Sequence, residues 1–194
     1  MSTLEQIKKL REQTGAGIVD VKKALSEADG DENGAIEILR KKGGDKAVKK
    51  ADRSASEGII GTYIHSNQKI GAMVKVLCET DFVARNEDFQ ALVGDLAMHV
   101  TASNPVCVLP EEVSNDLVFK EREIWTAQLA EEGKPADMVE KILEGKEKKF
   151  REESALMTQV FVKDPDKTIQ DLLNDAVIKI GEKIEVGDFV RYSL

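Results

Sequence analysis

The sequence predicts an α+β fold: a small three-helix N-terminal domain, then a core of antiparallel sheet packed with helices and a helical hairpin. Three observations carry that reading. The first 54 residues show apolar positions at helical spacing, interrupted by glycine turns. Two strand-like runs follow, on either side of Ser66-Asn67-Gln68. Helical stripes then return, and the chain closes on a last strand-like run from Ile184 to Tyr192. Strands, then helices, then a closing strand make an α+β rather than an alternating α/β order.

In the first helix Thr3 and Gln6 have capping-box spacing, and Leu4, Ile7 and Leu10 share a face. Thr14-Gly15-Ala16-Gly17 breaks it. The second helix, from about Ile18 to Ala28, turns Val21, Ala24, Leu25 and Ala28 inward and ends before Gly30. Asp31 caps a third with Ala35, Ile36 and Leu39 inward, and Gly43-Gly44 is expected to stop it. Gly15-Ala16-Gly17 follows a helix and lacks the Lys-Ser/Thr pair or third glycine of a phosphate loop, so it reads as a helix–helix turn. The basic stretch Arg40, Lys41, Lys42, Lys46, Lys49, Lys50 and Arg53 reads as a solvated linker helix. The alternative is an electrostatic docking strip for an acidic partner or RNA, the RNA version weakened by the lack of interleaved aromatics. The stretch closes a domain of residues 1–54, with few contacts expected across to the core of residues 55–194.

Gly58 to His65 and Lys69 to Cys78 predict an antiparallel pair. In the second strand Ala72, Val74, Val76 and Cys78 alternate with Met73, Lys75 and Leu77, so both faces are largely apolar and cover on both sides is expected. A helix begins near Phe89, with Leu92, Val93, Leu96 and Val100 in its stripe. Two more helices are expected at Ser114 to Glu132 and Pro135 to Phe150, joined by Gly133-Lys134. Val160-Phe161-Val162 precedes an expected Asp164-Pro165 turn, and Thr168 with Asp171 caps a helix that Gly181 closes.

The polar connection from Glu79 to Asp88 holds the pair Phe82-Val83. Two placements are open for Phe82. It can fold back over the core, as most loop aromatics do, or stand out as an anchor for a partner pocket.

Lysine and arginine total 28 against 36 acidic residues, a net charge of −8, which argues against a dedicated nucleic-acid binder. No run of apolar residues is long enough to span a bilayer, and Met1 to Gln6 does not read as a secretory signal. Cys78 and Cys107 are the only cysteines, which suits a reducing, cytoplasmic setting. Neither His65 nor His99 has cysteine or carboxylate neighbours at metal-ligand spacing, and no catalytic constellation emerges. On residues alone a binding protein is favoured over an enzyme. The enzyme alternative would pair Cys78 with a histidine, and an adaptor alternative would use the N-terminal bundle by itself.

An ordered set of motifs adds to this. Leu10-Arg11-Glu12-Gln13-Thr14-Gly15-Ala16-Gly17 is followed by Asp20 and Lys22-Lys23-Ala24-Leu25, then by Thr80-Asp81-Phe82-Val83-Ala84-Arg85 and Ala97-Met98-His99-Val100. Gly133-Lys134-Pro135, Glu144-Gly145-Lys146, Lys148-Lys149-Phe150 and Gln159 with Phe161-Val162 complete it. Together they resemble the elongation factor Ts family, nucleotide-exchange factors for the translational GTPase elongation factor Tu. The resemblance implies an N-terminal domain similar to ubiquitin-associated domains and a short form with one core copy, and hence a homodimer. It implies an exchange factor acting by binding, with no cofactor or metal of its own, and no membrane or direct nucleic-acid partner. It further implies that Arg11, Ile18, Val19 and Lys22 touch the GTPase's nucleotide domain. Asp81 and Phe82, flanked by Thr80 and Val83, would press with His99 on the helices beside its magnesium and phosphate site. Ile18-Val19 stand where many members carry methionines, which keeps that contact apolar.

Overall fold

In chain order the elements are α1 (Leu4–Thr14), α2 (Ile18–Glu27), α3 (Glu32–Lys50), β1 (Glu57–Ile64), β2 (Ile70–Cys78), α4 (Asp81–Ala84), α5 (Glu87–Ser103), α6 (Asn115–Glu131), α7 (Ala136–Ser154), β3 (Val160–Phe161), β4 (Asp164–Thr168), α8 (Ile169–Ile180) and β5 (Ile184–Ser193). The computed structural model describes residues 4–50 and 52–194, setting aside the side chains of residues 44–49, 136 and 137. The Thr3 half of the expected capping box, and the side chains of Lys46 and Lys49, therefore lie outside the described residues. The architecture is the expected α+β class.

Helices α1 to α3 gather Ile7, Leu10, Val21, Leu25, Ala35 and Leu39 into one apolar cluster, on which Ile178 of α8 also packs. That contact explains a departure from expectation. Helix α3 does not stop at Gly43-Gly44 but runs through both glycines to Lys50. An added Cβ at Gly43 would collide with Ile178 Cδ1 and stand 2.9 Å from its Cγ1. The glycine serves close helix–helix approach rather than termination. Contacts also reach this part of the chain from beyond residue 54: the Lys50 ammonium donates to the Gly181 carbonyl.

The main sheet has the order β1-β2-β5 and is antiparallel throughout, so the last strand does complete it. Ala72, Val74, Val76 and Cys78 of β2 are buried, while Met73 and Lys75 are exposed. Cover on both faces was the wrong expectation. Helix α5 lies on one face, where Thr101 Oγ1 donates to the Tyr63 carbonyl at 3.4 Å and Arg191 Nε donates to the Thr101 carbonyl at 3.0 Å. The other face stays open, and register aligns Thr62, Met73 and Val190 across it, next to Ile64, Gly71 and Tyr192. Met73 and Leu77 made that side look apolar in sequence, yet among the described residues no layer covers Met73, which is exposed.

The chain divides into two compact units, residues 1–101 with 170–194, and residues 102–169. In the second, Ser114 caps α6 by accepting from the Leu117 amide at 3.2 Å. Trp125 of α6 meets Phe150 of α7 edge to face, with ring centroids 5.8 Å apart. Arg151 ties α7 to the start of α6 by donating to the Val113 carbonyl at 2.8 Å and Asn115 Oδ1 at 2.9 Å. The expected turn at Asp164-Pro165 is instead the start of β4, which pairs with β3. Proline lacks an amide donor but is tolerated in an edge strand, and this two-stranded ribbon has only edges.

Candidate functional site

The backbone leaves β2 at Cys78 and makes a single helical turn, α4, where a loop was expected. Thr80 is extended and caps this turn, its hydroxyl accepting from the Val83 amide at 3.4 Å. Asp81, in the first turn, pairs with Arg85 at 3.2 Å. Helical rotation of about 100° per residue sends positions 82 and 84 to opposite sides. Ala84 is the buried one and fixes the turn to the core, leaving Phe82 80% exposed. Of the two placements open for Phe82, folding back over the core is excluded. Thr80, Asp81 and Val83 are partly exposed beside it.

This turn is braced by a residue that sequence reasoning missed. Glu182 accepts from the Glu79 and Thr80 amides, both at 3.1 Å, and from the Thr80 hydroxyl at 2.7 Å. The brace is reciprocal, because Glu79 Oε1 accepts from the Lys183 amide at 2.6 Å. Arg53 adds a charged contact to Glu79 at 3.3 Å. The Lys183 amide, and then Arg53, hold the Glu79 carboxyl below its ordinary range. No local signal marks Glu182, since its partners lie about a hundred residues earlier and only folding brings them together.

A second exposed set sits at the α1–α2 turn. Thr14 Oγ1 donates back to the Leu10 carbonyl at 2.6 Å, and Gly15 takes a φ of +66°. The turn leaves Arg11 exposed at the end of α1 and delivers Ile18 and Val19, 48% and 65% exposed, to the first turn of α2. Lys22 is exposed one turn later. Lys179 packs against Gly15 of this turn and bridges to Asp88 at the start of α5. His99 is set apart from both exposed sets: it is 0% exposed within α5.

The Cys78 thiol is buried, donates to the Thr80 carbonyl at 3.2 Å, and is pushed up by burial and then by Glu182. That is the reverse of what an activated nucleophile requires. Among the described residues no group of three or more His, Cys, Asp or Glu is arranged to hold a metal ion. Among them, too, no helix is long and apolar enough to cross a membrane.

Comparison with known proteins agrees with the motif order. The family model described as Elongation factor TS matches residues 7–194. Elongation factor Ts of Maridesulfovibrio salexigens is 52% identical over 192 residues, covering 99% of this chain and 93% of that protein. That of Geobacter metallireducens is 53% identical over 192 residues, with 99% and 89% covered. That of Moorella thermoacetica is 52% identical over 194 residues, with 100% and 96% covered. A match of this extent, over a chain that carries the motifs at both exposed sets, leaves one conclusion: the chain belongs to the elongation factor Ts family.

Proposed function

We propose that this elongation factor Ts, a nucleotide-exchange factor for the GTPase elongation factor Tu, drives GDP release by wedging Phe82 against the GTPase's magnesium and phosphate site. The observation that carries the reading is a large aromatic held out in solvent by a turn whose entry is pinned to Glu182. Leaving Phe82 in water forgoes the burial that would stabilise the free chain, so its place is better accounted for by what it meets on binding.

The mechanism is linkage. A partner that binds more tightly once the nucleotide site is distorted must weaken GDP by the same factor that GDP weakens the partner. Phe82 supplies the apolar thrust, Asp81 fixes its approach, and Thr80 and Val83 complete the edge. Arg11, Ile18, Val19 and Lys22 hold the GTPase's nucleotide domain from the second set. His99 has no exposed surface in the free chain, so the direct contacts proposed are these two sets. No bond is made or broken by the factor, and it needs no cofactor of its own.

Two further readings belong with this one. The three helices of residues 1–54 and the core of residues 55–194 each present a partner-binding set, the second also joining two chains through the open sheet face that carries Ile64, Met73 and Tyr192. The setting is the cytoplasm, where the translational GTPase works. The test of the whole reading is release of fluorescent GDP from elongation factor Tu with and without the protein. Acceleration that saturates with factor concentration is expected, and an unchanged release rate would contradict the reading.

A further inference from the structure

We propose that Glu182 is a positioning residue for exchange: through Thr80 it fixes the direction in which Phe82 stands. The inference rests on the exchange reading above.

Helix α4 is one turn long, far below the length at which a helix holds itself. Its orientation must therefore come from tethers. Behind it Ala84 is buried; in front of it the chain has just left β2, and the Glu79 and Thr80 amides have lost the ladder. Both find Glu182 Oε2, and the Thr80 hydroxyl finds Oε1, so both oxygens of one carboxylate hold three successive donors. That commits the Thr80 hydroxyl. With its proton given to Glu182, its lone pair faces the Val83 amide, so the Thr80 and Val83 amides, before and after Phe82, are tied to Glu182 in a single chain of hydrogen bonds. Glu79 returns the grip on the next residue, Lys183, so the segment carrying Glu182 is itself fixed to the end of β2.

In this proposal Glu182 makes no contact with the GTPase. It acts by keeping the aromatic aimed.

The test uses Glu182→Gln in the full chain. The amide keeps the shape but offers one acceptor and turns an NH2 toward donors. On the factor alone, hydrogen exchange at the Glu79 and Thr80 amides should accelerate and the melting temperature should fall modestly, so release is compared at a temperature where both proteins are fully folded. With elongation factor Tu at saturating factor, GDP release should fall about tenfold, the scale of a lost charge-assisted bond. In a Phe82→Ala background the same substitution should change release by less than about twofold, because the group it aims is gone. Equal slowing in both backgrounds, unchanged release, or unchanged amide exchange would each overturn the proposal. The two readings fail separately. If Phe82→Ala alone leaves release untouched, the exchange reading falls and takes this one with it. If Phe82→Ala slows release and Glu182→Gln does not, only the role of Glu182 is lost.

Discussion

Lys179 lays its side chain across Gly15: a Cβ added at Gly15 would stand 3.0 Å from Lys179 Cγ. The same side chain reaches Asp88 with its ammonium, 2.6 Å from the carboxylate. One residue thus touches both the turn that presents Ile18 and Val19 and the helix that follows the Phe82 turn.

Gly15→Ala meets two costs, the left-handed φ of +66° and the Lys179 methylenes. A loss of roughly 1–3 kcal/mol is expected. Lys179→Ala removes an ion pair whose partners are both about half exposed, and should lose no more than about 1 kcal/mol. Urea unfolding of both variants checks the order; a neutral Gly15→Ala would mean that the turn is free to relax.

At Gly43 two effects compete. Alanine raises helix propensity by about 1 kcal/mol, yet its methyl meets Ile178. Gly43→Ala should destabilise the chain, whereas in an Ile178→Ala background the same change should turn neutral or stabilising. Equal effects in the two backgrounds, read by thermal unfolding, would show that α3 and α8 do not need the bare position.

The Glu79 carboxyl, held low by the Lys183 amide and Arg53, binds its proton less readily folded than unfolded. Its contribution is complete above the ordinary value of 4.5 and is lost as pH falls through the folded value. Glu79→Gln should therefore be less stable than the parent at neutral pH, with the gap closing on acidification. Melting temperatures taken from neutral to acid pH would contradict this if the gap stayed constant.

The open face of the sheet bears on assembly. Ile64, Met73 and Tyr192 are exposed there, and two copies meeting face to face would cover them. Because Cys78 is buried, the association should not need a disulfide through it. Sedimentation under reducing conditions should give a dimer, and Ile64→Lys should shift it toward monomer. A parent protein that is already monomeric at micromolar concentration would count against the assembly.

What the sequence made legible was what local pattern encodes. The spacing of Val21, Ala24 and Leu25 placed α2, and the paired runs around Ser66-Asn67-Gln68 placed β1 and β2. Misreadings came where a distant element decides. Gly43-Gly44 looks like a stop until Ile178 arrives from α8. Met73 looks like core until the sheet is found to be layered on one side only. The one-turn helix at Asp81 was hidden because its length is too short for any periodicity, and Glu182 because nothing near it in sequence needs a carboxylate. The motif Thr80-Asp81-Phe82-Val83 marked the place, but only the fold shows Phe82 outside.

The most direct measurement is GDP release from elongation factor Tu at saturating Phe82→Ala, alongside thermal unfolding of the same preparation. Phe82 is exposed, so its truncation should hardly move the melting temperature, unlike a buried phenylalanine, whose loss costs about 3–5 kcal/mol. Release should slow by much more than association weakens, because the lost contact acts on the state with the loosened nucleotide. Asp81→Ala should act in the same direction more mildly, and the double variant should fall short of the sum. A large drop in melting temperature with release unchanged at saturation would contradict the wedge.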